Sequence, residues 1–319
     1  RDVAPSRGLG DVYKRQPDHS HRRIVSVGMF DGVHEGHRAL LRDLLDKAAE
    51  LHLRPAAVTF RCHPRHLVKP GNRVAMLMSL DERIDKLHRC GIEDVILLDF
   101  DEKTRMMSAR DFMVMLHDSY DVEAIVMGFN NRFGHDRPEG VEAYRKIGEP
   151  LGIRVFAAKE YRCDPSLAVS SSAVRHLLAS CEVKKATRLL GHPYRLAGRV
   201  VHGKELGRTI GFPTANIEPL DSDSVIPGNG VYAVEVHLPG RITRPGMLNI
   251  GHRPTVDSPY APPSIEVNIF DYDADLYGKP VAVDFIAFMR HEQAFESIGE
   301  LTRQLAADRD EARRLCLNG

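Results

Sequence analysis

The chain has 319 residues and balances 44 Lys plus Arg against 44 Asp plus Glu, so no overall field draws it to nucleic acid or an anionic membrane. Its length exceeds the usual size of a single core, and no uninterrupted apolar run approaches the ~20 residues of a spanning helix. The 5 cysteines stand far apart with no CxxC pair, which argues against a disulfide framework or structural zinc and makes a cytoplasmic location the expectation.

Residues 1–16 show neither an apolar signal core nor periodicity, and 1–20 are read as a non-native or disordered extension. From Ile24 to Val27 a short apolar run predicts a buried strand, and His37–Leu53 carries apolar residues at helical spacing. Strands follow at 55–60, 94–98, 124–128 and 154–158. Helices are predicted at 79–90, with Ser79 as cap and Glu82 three residues on, and at 109–120. Strands alternating with helices imply a parallel, doubly wound α/β sheet. From Ser171 a helical period runs through to Leu190, where Gly191-His192-Pro193 stops it. Beyond lie short β-rich runs at 196–201, 231–237, 247–250, 264–270 and 280–288, separated by Gly and Pro turns, which predict a small antiparallel barrel or sandwich. An amphipathic helix over 294–317 closes the chain, and the boundary between domains is placed at 187/188.

The first strand leads into Gly28-Met29-Phe30-Asp31-Gly32-Val33-His34-Glu35-Gly36-His37 at the start of a helix. Strand, glycine-bearing turn and helix N-terminus together make an anion site, and two histidines three positions apart can both donate to phosphate oxygens. In the second half, Gly198–Lys204 fits GxxxxGK superficially, but Glu205 stands where a Ser or Thr would bind Mg²⁺ and 199–201 reads as strand, so a Walker A loop is rejected.

The stretch 28–37 resembles the GxFDGxHxGH element of the bacterial bifunctional riboflavin kinase/FAD synthetases. Thr59–Pro64 is similar to that family's TFxPHP element with Cys62 where proline is usual, and Gly128–Gly134 to its GxDFRFG element with Asn131 in place of Phe. Val169–Arg175 resembles ISSTxIR, and Gly207–Asn216 resembles GxxxGFPTAN of riboflavin kinases. Asn249–Thr255 resembles NIGxRPT, while Ile265–Asp271 with Leu276-Tyr277-Gly278 resembles the E-x-H segment, Asn268 replacing His. Phe288–Phe295 resembles the closing FxRxExKF segment.

The resemblance implies an N-terminal Rossmann-like nucleotidyltransferase domain (21–187) that adenylylates FMN to FAD. It also implies a C-terminal antiparallel β-barrel riboflavin kinase domain (188–319) with a terminal helix. His34 and His37 would stabilise the transferring phosphate. Gly28, Phe30, Asp31, Gly32, Ser171, Ser172 and Arg175 would hold ATP there, and His63 and Asn130 would face the flavin. In the kinase half Glu266 would be the catalytic base, with Gly207, Arg208, Thr214 and Asn216 at ATP and the last two at Mg²⁺. Phe212, Asn249, Arg290 and Glu292 would border the flavin, although Arg290 and Glu292 also read as a solvated ion pair. The expected partners are riboflavin, FMN and ATP with Mg²⁺, with no permanently bound cofactor, no nucleic acid or membrane, and a monomer or weak homo-oligomer. Two alternatives stay open: a chain retaining only one activity, and a non-catalytic flavin sensor or store.

Overall fold

The structure, a computed structural model, describes residues 22–63, 74–129, 131–161, 169–203, 207, 210–251 and 263–317. The proposed extension at 1–20, Asn130 and Arg208 lie outside them. The chain divides into two compact units, one comprising Arg1–Val74 and Leu80–Arg162, the other Ala75–Ser79 and Cys163–Gly319.

The first unit is a five-stranded parallel sheet of β1 (Arg23–Val27), β2 (Arg54–Phe60), β3 (Asp94–Leu98), β4 (Val122–Met127) and β5 (Arg154–Ala157), in the order β3-β2-β1-β4-β5. Its helices are α1 (Glu35–Leu51), α2 (Leu80–Arg89), α3 (Glu102–Met106), α4 (Ala109–Tyr120) and α5 (Gly140–Gly148). Helix α1 illustrates how the sequence sets its bounds. The His34 side chain accepts from His37 N–H at its start, Leu40, Leu41, Leu44 and Ala48 form the buried stripe, and His52 at φ 53° ends it in the left-handed region. Each fully buried leucine in that stripe contributes about 2 kcal/mol. The chain adds β2 and β3 on one side of β1, then returns to place β4 on the other. The strand order therefore reverses between β1 and β4, where doubly wound sheets hold ligands beyond their C-terminal strand ends.

The second unit holds α6 (Ser171–Ala179), α7 (Val183–Leu190) and a closed six-stranded antiparallel barrel. Its strands are β6 (Tyr194–Val201), β7 (Ala215–Pro219), β8 (Gly230–Leu238), β9 (Ile242–Gly251), β10 (Ser264–Ile269) and β11 (Pro280–Arg290), in the order β10-β7-β6-β11-β8-β9. Helix α8 (Ile298–Leu317) closes the chain.

Three expectations change. The helical period over 171–190 is two helices, broken where Cys181 takes φ 62°. In one straight helix at about 100° per residue, the mean direction of Val174, Leu177 and Leu178 would point about 125° away from that of Val183, Ala186 and Leu189. The turn brings all six onto one core with the barrel interior. Strand β7 was not predicted, because only Ile217 of its five residues is apolar and buried, yet closure of the barrel requires it between β6 and β10. Helix α8 begins at Ile298 rather than at 294, where Ser297 Oγ accepts from Glu300 N–H at 3.2 Å. The residues 198–201 of the rejected GxxxxGK match lie within β6.

Helices α6 and α7 share the core of the second unit, so the packing boundary near 163 and the expected boundary at 187/188 do not coincide. Arg175 contributes to that arrangement: its Nε donates to Ala75 O at 2.6 Å, and Met76 pairs with Ser224, tying segment 75–79 into the second unit.

Candidate active sites

In the first unit, three loops leave the C-terminal ends of β1, β2 and β4. Gly28 N–H still donates to Val58 O at 2.9 Å, so the sheet holds the chain until the loop turns. Phe30 then takes φ 51° and Val33 φ 37°, both outside the region L side chains prefer, with Gly32 at φ 84° between them. Such strain persists only where surrounding contacts over-determine it, and it concentrates at functional sites. Phe30, Asp31, Val33 and His34 are all buried.

The loop delivers the two histidines together. His34 and His37 stack ring on ring with centroids 3.6 Å apart, and the Phe30 ring backs His37 at 5.2 Å. Since His34 Nδ1 accepts the His37 main-chain N–H, the neutral His34 ring carries its proton on Nε2. His37 Nδ1 is buried with no hydrogen-bond partner among the described residues. Burial, and then the neighbouring His34, hold His37 well below the ordinary histidine range, so its ring is neutral at neutral pH. Phe30 is fully buried, so its ring seats His37.

His63 lies in the loop after β2 and is half-buried, next to exposed Cys62. Asn131, which stands where the family has Phe, donates from Nδ2 to Val27 O and ties the β4 loop to the end of β1. Sequence reading missed Arg83 on α2. It is 1% exposed and donates to Met29 O at 2.9 Å and Phe60 O at 2.7 Å, joining the loop after β1 to the end of β2. A charged residue on the buried stripe of α2, beside Ile84 and Leu87, was the available signal.

Ser171, Ser172 and Arg175 belong to the second unit. Ser170 caps α6 by accepting from Ala173 N–H at 3.2 Å, which leaves Ser171 and Ser172 in the first turn. In the barrel, strand register assembles the rest. Glu266 on β10 stands opposite Asn216 on β7 and Asn249 on β9; Asn249 stands opposite Val231 on β8, and Val231 opposite Arg290 on β11. Directly opposed residues of antiparallel strands share a face, so residues spread over 75 positions of sequence, 216 to 290, form one lateral row.

Over that row lies a cavity of about 280 Å³ whose lining includes Phe212, Thr214, Asn249, Glu266, Arg290 and Glu292. Gly207 lines it as well, and Leu301 and Leu305 bring α8 in as a wall. Thr214 Oγ1 lies 3.5 Å from Glu266 Oε2. Asn216 is placed by a close approach to Gly203, where a Cβ would fall 1.9 Å from its amide nitrogen. Asn268, buried on the same strand face as Glu266, donates to Pro213 O at 2.6 Å and so fixes the segment carrying Thr214.

The alternative reading of Arg290 and Glu292 as an ion pair is not realised. Arg290 binds Asp308 on α8, and Glu292 Oε1 accepts from Asn249 Nδ2 at 3.1 Å. Elsewhere on the barrel Glu235, His237 and Asp284 bring potential metal-ligand atoms within 4.8 Å of one another. There the Arg195 guanidinium covers both Asp284 oxygens at 2.6 Å. Burial pushes Asp284 up, but hydrogen bonds from Arg195 and His237 outweigh it and hold the carboxyl below its usual range.

An α/β unit with a strained, histidine-bearing loop at its switch point, joined to a barrel whose cavity presents the Glu266 carboxylate beside the Thr214 hydroxyl, defines a two-site nucleotide-handling transferase. Residues 16–173 match the family described as FAD synthetase, and residues 190–316 match riboflavin kinase. The chain is 38% identical over 291 residues to the bifunctional riboflavin kinase/FMN adenylyltransferase of Escherichia coli K12, covering 91% of each. It is 36% identical over 310 residues to the protein of that name from Pseudomonas fluorescens, covering 97% of this chain and 96% of that one. The chain belongs to the bifunctional riboflavin kinase/FMN adenylyltransferase family. A crystal structure described as a macrolide-efflux protein from Streptococcus pneumoniae aligns with a TM-score of 0.84 at 32% identity, over 92% of this chain and 94% of that one. Efflux is said of that protein; among the described residues here, no helix is long and apolar enough to cross a membrane.

Proposed function

We propose that this chain makes both flavin cofactors in sequence: the barrel phosphorylates riboflavin with ATP to FMN, and the α/β unit adenylylates FMN with a second ATP to FAD, releasing pyrophosphate. The observation that carries the reading is the lateral row Asn216–Glu266–Asn249, of which Glu266 and Asn249 line the barrel cavity, in a chain of this family.

In the kinase step Glu266 accepts the proton of the riboflavin 5′-hydroxyl as that oxygen attacks the γ-phosphorus, and ADP leaves. Thr214 Oγ1 and the Asn216 carbonyl are hard oxygen donors of the kind Mg²⁺ takes, and they would hold the ion that accompanies ATP. Gly207 and Arg208 belong to the same nucleotide loop, while Phe212, Asn249, Arg290 and Glu292 border the flavin. In the adenylylation step an FMN phosphate oxygen attacks the α-phosphorus of ATP, so no protein nucleophile is needed. Alignment and charge stabilisation carry the catalysis. His34 and His37 donate to the transferring phosphate, and the triphosphate's charge raises the His37 pKa from its depressed value. Gly28, Phe30, Asp31 and Gly32 frame the nucleotide, Ser171, Ser172 and Arg175 hold the triphosphate, and His63 and Asn130 lie towards the flavin.

The assigned functional segments, 21–187 and 188–319, cut across the packing units, because α6 and α7 belong by packing to the second. Free thiols at Cys62, Cys90, Cys181 and Cys316 suit a reducing cytoplasm. We assign a monomer or weak homo-oligomer, with small molecules as its partners. The test is to incubate the pure protein with riboflavin, ATP and Mg²⁺ and to resolve the flavins by chromatography. FAD accumulation supports both activities, FMN alone would remove the adenylyltransferase assignment, and no product would favour a sensor.

A further inference from the structure

We propose that Arg83 is a positioning residue for adenylyl transfer, its guanidinium setting the spacing between the loop that leads into His34 and the start of α1 with His37 and the end of β2 from which the His63 loop leaves. This rests on reading the first unit as the adenylyltransferase. Arg83 is among the most deeply buried large side chains, and its two terminal nitrogens donate to Met29 O, in the loop after β1, and to Phe60 O, at the last residue of β2 from which the His63 loop leaves. Met29 O receives a second donor, Thr59 Oγ1 at 3.2 Å. That doubly held carbonyl immediately precedes Phe30, the first residue of the strained turn, and Phe60 lies three residues before His63.

A planar fork holds two acceptors at one fixed separation, which an ammonium on a flexible stem does not. The arrangement is costly if it serves packing alone. Burying a cation against neutral carbonyls is unfavourable, and a Leu or Met on α2 would fill the space without that cost. Here Nε is buried with no hydrogen-bond partner among the described residues, and the fully buried Asp31 supplies the nearby countercharge. Burial draws the Arg83 pKa down while Asp31, and then Cys62, raise it in part. Asp31 itself sits between Phe30 and Gly32, so the charge that retains the guanidinium comes from the loop it holds. Catalysis that depends on alignment of two reactants is sensitive to such spacing, and a displacement of about 1 Å costs on the order of 10²-fold.

The experiment uses the full chain with Arg83→Met and Arg83→Lys, taking FMN formation from riboflavin as an internal control in the same molecules. The expected result is parental FMN formation, with kcat for FAD formation from FMN down about 10²-fold in Arg83→Met and KM for ATP and FMN within about threefold. Arg83→Lys, which reaches one carbonyl at a time, is expected to restore part of kcat. If Arg83→Met does not fold, Arg83→Lys carries the test: its main-chain hydrogen exchange should rise at 29–34 and 61–63 and remain parental in β1, β2 and β4. A folded Arg83→Met with kcat within twofold of the parent would overturn the proposal, as would unchanged exchange in both loops of Arg83→Lys. A parent that forms no FAD removes instead the adenylyltransferase reading, and the exchange measurement still decides whether Arg83 spaces the loops.

Discussion

Arg290, the last residue of β11, spreads its guanidinium over the carboxylate of Asp308 on α8, with Nη2 2.7 Å from Oδ2 and Nε 3.1 Å from both oxygens. Asp308 is 4% exposed and also accepts from Gln304 Nε2, so the pair is a buried clasp rather than a surface bridge. It docks α8 on the barrel where Leu301 and Leu305 wall the cavity. Removing one partner of a buried pair leaves an uncompensated charge and costs about 3 kcal/mol or more.

Asp308→Ala is therefore expected to lower the stability of the barrel by about 3 kcal/mol in a denaturant titration. It should raise KM for riboflavin about tenfold, the equivalent of about 1.4 kcal/mol. FAD formation from supplied FMN should stay at the parental rate.

Glu266→Gln keeps the size of the side chain and removes the base. FMN formation should fall by about 10²–10⁴, while FAD formation from FMN persists. Equal loss of both activities would contradict the division into two sites.

Asn268→Ala removes the donor to Pro213 O and leaves its segment untethered, a change of about 1 kcal/mol. Because Pro213 immediately precedes Thr214, the effect should fall on KM for Mg-ATP in the kinase assay, with KM for riboflavin little changed. Asn268→His, the family's usual residue, should recover most of the loss.

His37→Ala should abolish FAD formation while FMN still appears. Stability carries a second signature. Burial and His34 lower the folded-state pKa of His37, so between that value and the ordinary ~6.5 the unfolded chain binds the extra proton. This contribution is fully present above about pH 6.5 and is lost as pH falls through that window. Melting curves at pH 7.5 and 5.5 should show the first unit of the parent losing more stability on acidification than that of His37→Gln.

Much of the first unit was legible because buried parallel strands read as short apolar runs and helices as 3.6-residue periods. β3 and α4 begin and end where those patterns predict. The second unit was legible strand by strand except β7, whose residues serve the site more than the core and so carry no alternation. The period over 171–190 misled because a one-dimensional pattern does not register the rotation that Cys181 introduces at its left-handed turn. Asn131 looked like a change on the flavin side, and its side chain in fact ties two strand ends together.

By itself the sequence determined the chemical inventory: two histidines on a glycine turn, a threonine and an asparagine of oxygen-donor character, and one carboxylate on an amphipathic strand. Those are local properties, readable from residue type and spacing. Which groups meet was decided only by tertiary structure. Strand register set Asn216, Glu266, Asn249 and Arg290 in one row, and burial gave Arg290 to Asp308 instead of to Glu292, its neighbour in sequence. Arg83 makes the same point, since its partners lie 54 and 23 residues away and no sequence period links them. Pairing between distant segments depends on register and desolvation, and neither is a property of any one stretch of chain.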